Sequence, residues 1–295
     1  MKEYHELLKL VYDNGIRTPT RTGIDQFTVL GLKIEHDMAN GFPLITSRKM
    51  DFGKVSSELE FFIKGYTDKR WLSERGNHIW DHWANPQKAS YGTDDESKRK
   101  MMQERDLGPV YGFQWRHFGA KYNGYDADYI GKGIDQLKEI IDEIKINKYS
   151  KRLVVNAWNP QDIYPQDKSE MALPPCGYSF ELHVLKDKLN LIWHQRALDM
   201  VIAYPHNLAS NALLLHLLSK ETGLKEGKVI GMISNAHIYE NNMTDAKEIL
   251  SRDPERYKLP HISTNNFKSV FEWKYTDTKI CDYKSHPKIH LKVAV

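Results

Sequence analysis

The chain has 295 residues, 42 Lys and Arg against 39 Asp and Glu, a formal charge of +3, and 40% hydrophobic residues. That length suits one large domain or two small ones, able to bury about three quarters of the unfolded surface. The composition excludes a disordered chain and a general polyelectrolyte binder of nucleic acid, while leaving room for a local anion site.

The elements read in chain order. Tyr4, Leu7, Leu8 and Val11 carry the rhythm of an amphipathic helix, with Gly15 as its stop. Phe27, Val29 and Ile34, with Leu30 and Leu32 between, read as a strand, and Val55, Leu59, Phe62 and Ile63 as one face of a helix over 53–64. Residues 86–105 are polar and aperiodic, which predicts a surface loop or insertion. Ile134, Leu137, Ile141 and Ile144 mark another helix, and 153–158 a short buried strand. Tyr178, Phe180, Leu182 and Val184 alternate, as do Leu189, Leu191 and Trp193, so Leu185-Lys186-Asp187-Lys188 turns a β-hairpin. Residues 206–222 are the most apolar helix, closed by Gly223, followed by a strand over about 227–234 and a helix from Met243 to Leu250. Strands and helices interleave without a regular βαβ repeat, which predicts one α+β domain spanning 1–295.

Two cysteines, Cys176 and Cys281, cannot build a disulfide framework, which predicts a reducing, cytoplasmic setting. No apolar run reaches the roughly 20 residues that span a bilayer, and Glu3 and Glu6 stand where a signal peptide has its apolar core. No membrane or nucleic-acid partner is expected. His78 and His82 are four apart, yet no third metal ligand is evident, so surface or hydrogen-bonding histidines are the simpler reading and no metal is expected. Pro174-Pro175-Cys176-Gly177 stands directly before the hairpin. The plain reading is a buried cysteine at a strand start. Antiparallel pairing, however, brings Arg196, at the end of the second strand, near Cys176, where a guanidinium favours the nucleophilic thiolate. Polar clusters at Tyr204-Pro205-His206-Asn207 and at 234–239 complete a constellation suited to a nucleophilic enzyme acting on a small anion.

With these residues in hand, the chain resembles the thymidylate synthases and related pyrimidine nucleotide hydroxymethylases from end to end. The resemblance is carried by Arg21-Thr22-Gly23, Gly41-Phe42-Pro43-Leu44, Glu58-Leu59, Ile79-Trp80-Asp81 and residues 107–112 (LGPVYG). It continues through Pro175-Cys176, Gln195-Arg196, Asp199, Asn207-Leu208-Ala209-Ser210, His237-Ile238-Tyr239 and Val293-Ala294-Val295. It implies a large mixed β-sheet packed against helices and a sheet-to-sheet homodimer with shared active sites. Cys176 would add to pyrimidine C6, and C5 would take the methylene of 5,10-methylenetetrahydrofolate, a co-substrate. Glu58 would act as acid and base through ordered water, and Tyr111 would assist proton removal at C5. Arg21, Arg196 and Ser210 match phosphate positions, with Lys151 and Arg152 donated by the partner subunit. Asn207 would read the base, His237 and Tyr239 the sugar, and Trp80, Asp199 and Val295 the reduced folate.

Departures from the synthase pattern cluster at the nucleotide. Gly177 replaces a histidine, Ala197 a serine, Lys151 an arginine, and Ser234-Asn235 a Gly-Asp pair. Ala for Ser opens space beside the sugar, and Lys is a point charge where Arg is a planar fork. Asn207 serves uracil or, flipped, cytosine. The combination resembles a CMP 5-hydroxymethylase, with thymidylate synthase and dCMP or dUMP hydroxymethylase as alternatives. A non-catalytic nucleotide- or RNA-binding regulator is the reading from another class, and the intact Cys176, Glu58, Tyr111 and Arg196 argue against it.

Overall fold

The computed structural model describes residues 1–21 and 23–292. Helix α1 (Lys2–Asn14) buries Tyr4, Leu8 and Val11 and ends at Gly15. Strands β1 (Ile16–Thr18) and β2 (Gln26–Asp37) follow, then α2 (Phe52–Ile63), capped by the Asp51 carboxylate accepting from Gly53 N–H. A short α3 (Arg70–Ser73) precedes α4 (Asp95–Gln103), α5 (Tyr111–His117) and α6 (Gln136–Ile146). Next come β3 (Val154–Asn156), α7 (Pro160–Ile163), and the hairpin of β4 (Gly177–Leu185) with β5 (Lys188–Gln195). A two-residue β6 (Leu198–Asp199) leads into α8 (Ala203–Thr222), β7 (Lys225–Tyr239) and α9 (Met243–Ser251). Strands β8 (His261–Thr264) and β9 (Thr278–Cys281) form a separate pair.

Among the described residues the main sheet has seven strands in the order β1-β2-β7-β5-β4-β3, with β6 beside β7. It is mixed: β5 and β7 run parallel, while β2–β7, β4–β5 and β3–β4 are antiparallel. One row of partners crosses five strands, Val155–Phe180–Trp193–Gly231–Ile34. Its side chains face the core because strand side chains alternate. Gly231 is required there, since a Cβ would come within 2.4 Å of the Trp193 ring. The neighbouring row, Val154–Glu181–Ile192–Ile230–Glu35, lies on the less covered face.

Helix α8 packs on that core face against β5, β7, α2 and α6. Leu213, Leu214, Leu215, Leu217 and Leu218 are at most 1% exposed, so the middle of the helix is buried on every side, as a central helix must be. Each such burial is worth about 1.5–3 kcal/mol. Gly223 ends it with a left-handed φ of 68°, which glycine adopts without steric cost.

Several expectations change. The 86–105 segment is not wholly loop: α4 forms within it, because the Asp94 carboxylate caps Ser97 N–H and Glu96 pairs with Lys100 one turn on. Buried Lys69 donates to the carbonyls of Asp81, Trp83 and Met101 and so fastens the segment. The central helix begins at Ala203, with Pro205 in its first turn, where no N–H is missed. The strand expected over 227–234 runs to Tyr239, held by β2 along its length. Ile134 stands outside α6, bridging Phe118 and 56% exposed. Among the described residues no helix is long and apolar enough to cross a membrane.

Candidate active site

The hairpin expectation holds in detail. Gly177 pairs with Gln195, and an irregularity between Gly177 and Ser179 bends the strand where it leaves Cys176. Arg196 N–H donates to the Cys176 carbonyl at 2.8 Å. The Arg196 guanidinium reaches back, Nε to the Pro175 carbonyl at 2.9 Å and Nη2 to the Pro174 carbonyl at 2.7 Å. Arg196 therefore ties down the segment that carries the cysteine as well as supplying charge beside it. From α5, the Tyr111 hydroxyl accepts the Cys176 N–H at 2.8 Å. Burial pushes the Cys176 thiol up, and the positive charges of Arg196 and Arg21 pull against it. Burial likewise raises the Tyr111 phenol far above its usual range.

Gly177 leaves room that Gln195 partly takes: a Cβ there would stand 3.1 Å from Gln195 Oε1. Gln195 Nε2 donates to the Ala197 carbonyl at 2.9 Å, which leaves Oε1 as an acceptor. Gly177 and Gln195 line a cavity shared with Glu58, Trp80, Tyr111, Asn207 and Ser210. Glu58 projects from the middle of α2, and Asn207 and Ser210 from the first two turns of α8. Trp80 Nε1 donates to Glu58 Oε1 at 2.7 Å, and His206 Nε2 lies 2.7 Å from Glu58 Oε2. Among the described residues the Asn207 side-chain amide has no protein hydrogen-bond partner, so it is available to a ligand.

A second group adjoins at the end of β7. Asp199 pairs with His237 across β6 and β7. Its Oδ1 accepts from Val201 N–H at 2.8 Å and Ile202 N–H at 3.1 Å, while burial lifts the carboxyl to about 6. Burial lowers His237 to about 4. Asn235 Oδ1 stands 2.8 Å from His237 Nδ1, so Nδ1 carries the hydrogen and Nε2 is an acceptor suited to a hydroxyl. Tyr239 packs edge-on against His237 at 5.0 Å, and its electrostatic neighbours are Asp199, Arg21 and Cys176.

The fold thus assembles Cys176, Glu58, Tyr111, Trp80, Arg196, Ala197, Asn207 and Ser210 with Asp199, His237 and Tyr239 nearby, though they span three helices, three loops and two strands. Lys151 and Arg152 are exposed on the turn before β3 and do not line this cavity; Arg152 borders a groove with Gln136 and Asn156 instead. Val295 and Thr22 lie outside the described residues. His78 bonds Asp81 at 2.8 Å rather than joining His82, and no group of three or more His, Cys, Asp or Glu among the described residues is placed to hold a metal. Sequence reasoning missed that His206 bonds Glu58, and that Tyr91 of the 86–105 segment lies beneath Arg21.

A family model described as Thymidylate synthase matches residues 2–295. The chain is 38% identical over 311 residues to a thymidylate synthase of Malacoplasma penetrans (strain HF-2), covering all of both chains. It is 37% identical over 293 residues to a bifunctional dihydrofolate reductase-thymidylate synthase of Paramecium tetraurelia, covering 99% of this chain but 61% of that protein.

Proposed function

The chain belongs to the thymidylate synthase family, and from that premise we propose that it transfers a one-carbon unit from a reduced folate to C5 of a pyrimidine nucleoside monophosphate. CMP is the proposed acceptor and a 5-hydroxymethyl group the product, with water supplying the hydroxyl oxygen and tetrahydrofolate released unoxidised. The observation that carries the shared chemistry is Cys176, flanked by Arg196 and Tyr111 beside the cavity that Glu58 and Asn207 line. The Cys176 thiolate adds to pyrimidine C6, which builds nucleophilic charge at C5, and it leaves again at the end to restore the C5–C6 double bond. Glu58 moves protons at the reacting carbons, and the Tyr111 hydroxyl, beside Cys176, helps remove the C5 hydrogen. Arg21, Arg196 and Ser210 hold the phosphate.

A reduced folate fits the residues present. Asp199 keeps Oδ2 free of protein hydrogen bonds among the described residues, an acceptor available to a pterin N–H, and Trp80 adds an aromatic wall. When bound, the folate supplies the one-carbon unit. The preference for CMP rests on Ala197 and Lys151, which open space and soften charge near a ribose, and on the Gln195 Oε1 acceptor beside the cavity. A homodimer is part of the proposal: Lys151 and Arg152 are exposed and do not line their own cavity, and Leu30, Val154 and Met232 leave apolar surface on the sheet. Mixing a Cys176→Ser chain with an Arg152→Ala chain restores activity if sites are shared, and leaves both inactive if they are not.

One observation favours a second reading, methylation of dUMP with release of dihydrofolate. Both relatives are named as thymidylate synthases, and those names support this reading more directly than the first. The test separates them. CMP, dCMP, UMP and dUMP are each incubated with 5,10-methylenetetrahydrofolate, and product mass and dihydrofolate are measured. Hydroxymethylated CMP without dihydrofolate is the expected result; methylated dUMP with dihydrofolate overturns it.

A further inference from the structure

Two nitrogen donors approach Glu58 from separate parts of the chain. Trp80 Nε1–H bonds Oε1 from the loop before α4, and His206 Nε2 bonds Oε2 from the first turn of α8, both at 2.7 Å. With Nε2 carrying the ring hydrogen, His206 donates to Oε2 as Trp80 donates to Oε1. Glu58 is 9% exposed, and two short hydrogen bonds in a buried setting hold a side chain to one rotamer. His206 does not itself line the cavity, although its neighbour Asn207 does. Whatever it does for the reaction, it does through Glu58.

We infer that His206 is a positioning residue: with Trp80 it clamps both oxygens of Glu58 and fixes which of the remaining lone pairs faces the cavity. The inference rests on the reading of Glu58 as the acid–base group. Misplacement of such a group by about 1 Å costs on the order of 100-fold in rate, so the clamp is worth that factor and leaves nucleotide binding alone. The bland reading, a histidine satisfying a buried hydrogen bond, predicts a loss of stability with no selective loss of turnover.

The experiment measures kcat and KM for His206→Phe, His206→Gln, Glu58→Gln and the double variant His206→Phe/Glu58→Gln, with the nucleotide found productive in the acceptor panel. His206→Phe lowers kcat about 100-fold with nucleotide KM within about threefold. His206→Gln, which keeps an N–H donor, recovers to within about tenfold of wild type. In the Glu58→Gln background His206→Phe adds less than about threefold, because the group it positions is already lost. Covalent trapping of Cys176 by a 5-fluoropyrimidine nucleotide shows that each variant is folded. A His206→Phe kcat within threefold of wild type overturns the inference. So does a His206→Gln as impaired as His206→Phe, or an undiminished effect in the Glu58→Gln background. Wild-type protein that gives neither product nor adduct overturns the reading of the site itself, a distinguishable result.

Discussion

The guanidinium of Arg21 lies over the ring of Tyr91, 4.8 Å from its centroid, and Tyr91 in turn stacks with Trp83 at 6.2 Å. The 86–105 segment therefore touches the turn between β1 and β2 that carries an expected phosphate ligand. Arg21 also stands close enough to Cys176 to pull its thiol down electrostatically. A polar segment that composition marks as a solvated surface thus borders the candidate site.

An exposed cation–π contact is worth about 0.5–1 kcal/mol. Removing the ring leaves Arg21 to find its place unaided, so Tyr91→Ala raises the nucleotide KM about two- to fivefold and leaves kcat unchanged, while Tyr91→Phe stays near wild type. Steady-state kinetics read this directly. An unaltered KM in Tyr91→Ala severs the proposed link between the segment and the phosphate.

Cys176 is a thiol raised by burial and opposed first by Arg196. Replacing Arg196 by Met removes that charge, moves the thiol further up and lowers the thiolate fraction at pH 8. Alkylation of Cys176 by iodoacetamide then slows about tenfold, whereas Arg196→Lys, which retains a cation, slows it less. The measurement is peptide mass spectrometry over time. Equal rates for Met and Lys variants are inconsistent with an electrostatic role.

Asp199 gives a pH signature of stability. Burial raises its carboxyl to about 6 from the ordinary 3.8, so between those values the folded state holds a proton that the unfolded chain has released. Its contribution is fully present below 3.8 and is lost as pH rises through 6, a swing of up to about 3 kcal/mol. Asp199→Asn keeps the oxygen that accepts from Val201 and Ile202 and carries no charge to desolvate. Its melting temperature exceeds wild type by about 5 °C at pH 8, and the gap closes toward pH 4. Calorimetry at the two pH values checks the sign.

His237 acts in the opposite sense. Burial holds it neutral, with its value lowered to about 4 from 6.5, so the unfolded chain binds the extra proton in that window. The associated stability is present above pH 6.5 and fades as pH falls through 4. In His237→Asn the acid side of the stability profile is flatter over that range. Chemical denaturation at several pH values shows it, and an identical slope contradicts it.

The ribose argument rests on two positions. Ala197→Ser together with Lys151→Arg shifts the ratio of kcat/KM values from ribo- toward deoxynucleotides by about tenfold, since the serine hydroxyl refills the space and the fork of arginine restores planar phosphate recognition. A ratio that does not move removes the structural reason for CMP.

Short-range pattern was enough for the hairpin: alternation marked both strands, and antiparallel pairing then placed Arg196 against Cys176, as the 2.8 Å main-chain bond shows. The core strands and helices were readable for the same reason, because burying one face leaves a period in the residues themselves. Boundaries were less so, as with β7, whose last residues are held by β2 rather than by their own pattern. Helix α4 escaped notice because its stabilisation is charge pairing and a cap, with few apolar positions to reveal a period.

By itself the sequence determined the α+β class, the strand and helix inventory of the core, and the pairing of Cys176 with Arg196. The tertiary structure alone decided what surrounds Glu58. His206 lies 148 residues away along the chain, and nothing in the spacing of Glu58, Trp80 and His206 announces that they meet. That meeting depends on α8 packing against α2, and on the loop before α4 being fastened by Lys69. Local propensity is written in neighbours along the chain, whereas the hydrogen bonds of a buried carboxylate are set by which elements pack around it.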